Sequence, residues 1–203
     1  NAHVMPVPMM NILNGGAHAS NNVEIQEFMI VPVGAKSFSE AMRAGCEIYA
    51  SLGRLLKQNS YATTVGDEGG YAPNLDSDEE AIELIVSAIQ SAGYDTSSVM
   101  IALDAAASEW YSDEGKYTMP KRGENYTRDE LIDYWCDICE RYPIMSIEDA
   151  LDQRDFDGWS RLTEKLGKKK VNTRIGYMLI SAYIFIGNFD KVGAKLGIGN
   201  YGI

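Results

Sequence analysis

The sequence predicts an α/β fold in which buried parallel strands alternate with helices, following an opening pair of antiparallel strands. Three observations carry this. Three S/T-x-x-E patterns each stand in front of an apolar stripe at helical spacing. Two short runs between those helices, VMIAL at 99–103 and IMSI at 144–147, show no polar alternation, as a strand covered on both faces requires. Before the first helix, VMPVPMMNILNGG and VEIQEFMIVPVG are strand candidates joined by a short Gly-His-Asn link, a spacing that suits an antiparallel pair.

Taken in order, the first helix opens at Ser37 with Glu40 and carries Phe38, Met42, Tyr49, Leu52 and Leu56. The second opens at Ser77 with Glu80 and carries Ile82, Ile85 and Ile89. The third opens at Thr127 with Glu130 and carries Leu131, Trp135, Ile138 and Tyr142. A fourth stripe follows at Phe156, Trp159, Leu162 and Leu166. These apolar side chains are expected in the core, and no repeat of solenoid period interrupts the alternation.

The 203 residues carry 29 acidic against 18 basic side chains, a formal charge of -11. That balance argues against nucleic acid or an anionic membrane as partner, and an anionic substrate needs a metal ion or a local basic pocket to be held. The pair Cys136 and Cys139 forms a C-x-x-C, but inside an apolar helical pattern and without a second pair, so core packing in a reducing compartment is expected. No signal peptide or membrane-length apolar run is visible, and a cytoplasmic protein with no membrane span is the expectation. The chain starts at Asn1, close to a strand-like run, and reads as a partial product.

Each buried run is followed at once by acid: Asp104 after VMIAL, and Glu148 with Asp149 after IMSI. In parallel sheets the carboxyl ends of the strands line the ligand site. If the two strands are neighbours, about 4.8 Å apart, Asp104 and Glu148 can share one cation. Carboxylates plus water suit Mg2+; an acid that merely caps the following turn is the competing reading. A metal beside carboxylates lets an acidic protein hold a phosphorylated or carboxylic substrate and favours proton removal next to a carboxylate.

The stretch VGDEGGYAP, residues 65–73, sets Asp67 and Glu68 among glycines that allow close approach of main chain. One reading is a tight acidic turn in water. The other is a carboxyl at Glu68 kept partly out of water, with its pKa raised so that it can donate a proton to a leaving hydroxyl. His18, after a Gly-Gly turn, is either a site residue or a polar loop residue. Gln26 and Glu27 are neighbours on a strand candidate and so cannot both point inward from it.

Together, MPVPMMNILNGGAHASNNVEIQEFMIVPVGA, VGDEGGYAPNL, IALDAAASEWY and SIEDAL, in this order and spacing, closely resemble the enolase family. The resemblance covers residues 1 to about 169 and implies a partial enolase-type β/α barrel over 1–169, with a divergent tail at 170–203. It implies a Mg2+-dependent glycolytic lyase that dehydrates 2-phosphoglycerate to phosphoenolpyruvate, and a homo-oligomer when intact. Glu68 is implied as the acid assisting departure of the hydroxyl, with Glu27 beside it. His18, Gln26, Glu27 and Glu148 are implied in the substrate site, and Asp104 and Glu148 as two of three carboxylates on the tighter magnesium. Asp67 is implied as structural.

One departure stands out. After LTEKLGKK the family continues into a strand ending Gly-Asp-Asp, whereas here RIGYML places Tyr177 and Met178, both poor magnesium ligands, at the counterpart positions. GIGN at 197–200 again looks enolase-like. The family's lysine base and phosphate-binding residues have no counterpart among these residues, so the isolated chain is expected to be inactive. A non-catalytic remnant that binds or supports a partner, and another magnesium-dependent enolising barrel, are the rival readings.

Overall fold

Helix starts are set by the capping pattern. In the computed structural model, which describes residues 5–112 and 115–168, α1 (Phe38–Gln58), α2 (Asp78–Ser91) and α3 (Arg128–Arg141) begin directly after Ser37, Ser77 and Thr127. Each of these hydroxyls accepts the N–H of the glutamate three residues on, at 3.2, 3.0 and 3.3 Å. Only Thr127 and Glu130 close the reciprocal capping box. Glu40 and Glu80 reach one residue further back, to the N–H of Lys36 and Asp76. Either way, free donors at the helix start are satisfied.

The strands are β1 (Met10–Asn14), β2 (Glu27–Val31), β3 (Met100–Asp104), β4 (Lys116–Thr118), β5 (Asn125–Thr127) and β6 (Ile144–Glu148), and α4 (Phe156–Lys168) is the last described helix. Among the described residues, β1, β2, β3 and β6 form one sheet in that order. The expected antiparallel pair is present as β1 and β2; β2 also runs antiparallel to β3, while β3 and β6 are parallel neighbours. The hairpin of β4 and β5 has no counterpart in the sequence reading, since strands of three residues are too short to show a period.

Alternation along β2 and β3 divides the apolar side chains between two faces. Phe28, Ile30, Ile101 and Leu103 join Ile48, Leu52, Ile82, Ile85, Ile89, Leu131 and Trp135 from the helices in the main core. Met29, Val31, Met100 and Ala102 form a smaller cluster of their own. β6 is less covered than expected, since Met145 and Ser146 are only half-buried.

Three residues expected in the core lie outside it. Phe38 and Met42 are exposed, because the buried stripe of α1 runs through Ala41, Ala44, Gly45, Ile48, Leu52 and Leu56 and leaves them on its flank. Phe156, in the first turn of α4, is 79% exposed, and that helix is anchored by Leu162, Leu166 and the half-buried Trp159. Cys136 and Cys139 are buried in the main core, as expected, and form no disulfide. The tail at 170–203, including Tyr177 and Met178, lies outside the described residues. No helix among the described residues is long and apolar enough to cross a membrane.

The long loop between β1 and β2 is held by groups distant in sequence. The carboxylate of buried Glu24 accepts the N–H groups of Lys121 and Arg122 at the tip of the β4–β5 hairpin, at 2.8 and 2.6 Å. The Lys121 ammonium donates to the Ala19 carbonyl at 2.8 Å and to Asn21 Oδ1 at 3.1 Å. From the other side, Asp78 at the start of α2 accepts the N–H groups of Glu24 and Ile25. Asp78 is buried, and its loss of hydration pushes the carboxyl up to about 6 despite those two donors and the nearby Arg122.

The folded state therefore holds a proton on Asp78 that the unfolded chain releases near its ordinary value of 3.8. Stability from this group is fully present below that value and is lost as pH rises through about 6, by at most about 3 kcal/mol. Urea unfolding of wild type and Asp78→Asn at pH 4 and pH 7 checks this: the variant is expected to lose less stability over the interval. An equal loss in both proteins contradicts it.

Candidate functional site

Register brings the acids together. Asn14 pairs with Glu27, Glu27 with Asp104, and Asp104 with Glu148, so one residue from each strand of the sheet stands at the same level. Directly paired residues project from the same face of a sheet. This row closes the strand ends, beyond the apolar cluster of Met29, Val31, Met100 and Ala102.

Asp104 is half-buried; its two oxygens accept the Ala106 N–H and the Gln26 side-chain amide, each at 3.1 Å. Gln26 reaches the same site as Glu27 because it lies one residue before β2, where strand alternation does not yet apply. The expectation that these neighbours must point apart is thereby corrected. Glu27 lies 3.3 Å from His18 Nδ1, with side-chain exposures of 20% and 27% that leave both reachable from solvent.

The carboxylates crowd one another. Burial raises the Glu27 carboxyl, the charges of Asp104 and Glu68 raise it further, and His18 opposes them. Burial likewise raises Asp104, with Asp149 adding to it, against the two hydrogen bonds it accepts. Solvent reaches Glu148 at the strand end, yet surrounding protein strips part of its hydration and Asp104, Asp149 and Glu27 lift its carboxyl above the usual range. Partly desolvated oxygen donors of one sign, on directly paired strands, fit a hard divalent cation such as magnesium.

Glu68 comes to the site from the glycine loop. Val65 and Tyr71 pair across the base of that loop, and Tyr71 pairs in turn with Leu13 of β1. The close approach is to protein: a Cβ on Gly66 would lie 2.6 Å from the His18 carbonyl, and one on Gly70 would lie 2.4 Å from Asn14 Oδ1. Gly69, at φ +82°, turns the tip, and its carbonyl accepts the Tyr49 hydroxyl at 2.9 Å. Nested this way, the loop brings Glu68 within 4.8 Å of ligand atoms of both His18 and Glu27. Glu68 is exposed, however, so the expected shielding of its carboxyl by the loop is absent among the described residues. Asp67 is also exposed, and its N–H donates to the His18 carbonyl.

The structure thus gathers His18, Gln26, Glu27, Glu68, Asp104 and Glu148 into one place. Sequence reasoning missed Asn14, Tyr49 and Lys121. Asn14 has a register signal, since it ends β1 opposite Glu27. Its fully buried amide has no hydrogen-bond partner among the described residues. Tyr49 and Lys121 act through contacts spanning 20 and 102 residues, which no local pattern reveals.

A comparison with protein families bears on the fold. Residues 2–181 match the family model described as the enolase, C-terminal TIM barrel domain. The match extends past residue 169, where the sequence reading places the end of the barrel portion. The antiparallel opening of the sheet and the helices that follow make the described part an α/β partial barrel of this kind. By the extent of that match and by its fold, the chain belongs to the family of enolase C-terminal TIM barrel domains.

Proposed function

We propose that this chain carries part of the active site of an enolase, a cytoplasmic glycolytic enzyme that dehydrates 2-phosphoglycerate to phosphoenolpyruvate and works as a homo-oligomer. The reading rests above all on the paired row of Glu27, Asp104 and Glu148 with Glu68 and His18 at its margin. Asp104 and Glu148 would hold Mg2+. Bound magnesium supplies positive charge that offsets a substrate carboxylate and eases removal of the proton beside it. Glu68 gives a proton to the leaving hydroxyl, and Glu27 keeps His18 oriented at the substrate's edge. Gln26 fixes Asp104 through its amide bond.

Calorimetry with 2-phosphoglycerate tests this reading. Heat of binding is expected only with magnesium present, and no phosphoenolpyruvate is expected to form, because the 203 residues include no counterpart of the family's lysine base. Equal binding of unphosphorylated hydroxy acids would favour another enolising barrel. A second reading, a non-catalytic remnant, draws on Tyr177 and Met178 at the place of the third metal carboxylate. It requires that no magnesium bind at all.

A further inference from the structure

The glycine loop that carries Glu68 is tight at its base and open at its tip. A Cβ on Gly66 or Gly70 would strike neighbouring protein, whereas one on Gly69 would meet nothing within 4 Å. Packing therefore fixes the base, and hydrogen bonds must fix the tip. On its leading side the Asp67 N–H donates to the His18 carbonyl at 3.0 Å. On its returning side the Tyr49 hydroxyl of α1 donates to the Gly69 carbonyl at 2.9 Å. We propose that Tyr49 is a positioning residue for Glu68: stacked on Tyr71, it latches the loop tip to α1 and so fixes where the carboxyl meets the leaving hydroxyl of the substrate. The role of Glu68 in this rests on the functional reading given above.

Three observations carry the proposal. The rings of Tyr49 and Tyr71 lie nearly parallel, at 9°, with centroids 4.4 Å apart, which restricts the swing of the Tyr49 phenol. Room for this stack is built into α1, because Gly53 follows Tyr49 by one turn on the same face, and a Cβ there would lie 2.4 Å from the Tyr71 hydroxyl. A glycine inside a helix weakens it, and here it admits a ring. Tyr71 is itself anchored, since its N–H donates to the Ile12 carbonyl and its carbonyl accepts the Asn14 N–H, each at 2.9 Å.

A line of contacts thus runs from β1 through the two rings to the residue next to Glu68. Burial, with Tyr71 beside it, pushes the Tyr49 hydroxyl above its ordinary value of 10.0, so it stays a donor throughout the neutral range. Removing that hydroxyl alone keeps the ring in place and leaves Asp104 and Glu148, on β3 and β6, untouched.

Tyr49→Phe in the 203-residue chain is the test, read with and without ligand. Amide exchange at Asp67 and Gly69 is expected to quicken roughly 3- to 10-fold, as the loss of one ordinary hydrogen bond allows, while Leu13 and Ile48 exchange as in wild type. With magnesium present, affinity for 2-phosphoglycerate is expected to fall by a similar factor. Affinity for 2-phospholactate, the same acid without the hydroxyl, is expected to stay unchanged, as is affinity for magnesium. A merely structural role would weaken both acids together. Unchanged exchange at the tip, unchanged affinity for 2-phosphoglycerate, or an equal loss for both acids each overturns the proposal. Wild type that binds neither acid sinks the functional reading instead, and the exchange rates then decide the latch on their own.

Discussion

Asp104→Asn is expected to weaken magnesium binding by ~100-fold or more, since under the assignment proposed above it removes a direct carboxylate ligand, a loss that exceeds the 10–100-fold typical of losing an outer partner. The substitution keeps the shape of the side chain, so the backbone of β3 and the Ala106 N–H contact can persist. What it removes is one charge from a row in which Glu27, Asp104 and Glu148 all sit above their ordinary pKa. In the metal-free protein that charge is a liability: stability from these groups is present at low pH and lost as pH rises through their raised values. The variant without metal is therefore expected to melt no lower than wild type at pH 7, while gaining little from added magnesium. Calorimetry and thermal melts with and without the ion check both halves. A wild-type-like magnesium affinity in the variant contradicts the assignment of Asp104.

The second large effect is structural. Trp135→Ala is expected to destabilise the fold by about 3–5 kcal/mol, the usual cost of deleting a fully buried large aromatic side chain. Trp135 stacks near Trp110, with ring centroids 6.3 Å apart, and meets the Tyr134 ring edge-on at 4.9 Å. Its indole N–H donates to the Ala150 carbonyl at 2.8 Å, two residues beyond Glu148. The side chain therefore ties the core to the turn that sets the Glu148 carboxylate. Trp135→Phe fills most of the space but leaves that carbonyl unpaired, so an intermediate loss is expected. Urea denaturation of the three proteins measures the series; equal stability of wild type and Trp135→Ala contradicts the packing described.

How much was legible in the sequence differs from element to element. Ser37, Ser77 and Thr127 mark helix starts correctly because capping is local chemistry within four residues. The runs before Asp104 and Glu148 identify buried strands, and acids placed immediately after both suggest a shared site, which the direct pairing of the two residues supports. Periodicity misplaces Phe38, Met42 and Phe156, since a stripe about 100° wide has flanks whose burial depends on the neighbouring element. The hold of Lys121 on the loop carrying His18 is illegible for another reason: it joins residues 102 apart through a main-chain carbonyl, which every residue possesses. Alternation alone fails at Gln26 by a single residue, because it is applied where the strand has not yet begun, whereas the resemblance already implies Gln26 in the site.

The most direct measurement is the anomalous scattering of a crystal soaked in manganese, which follows magnesium into oxygen-rich sites. One peak bridging the carboxylates of Asp104 and Glu148 is the expected result. A metal bound elsewhere, with those two side chains turned away from each other, contradicts the reading of the paired strand ends as a divalent-cation site.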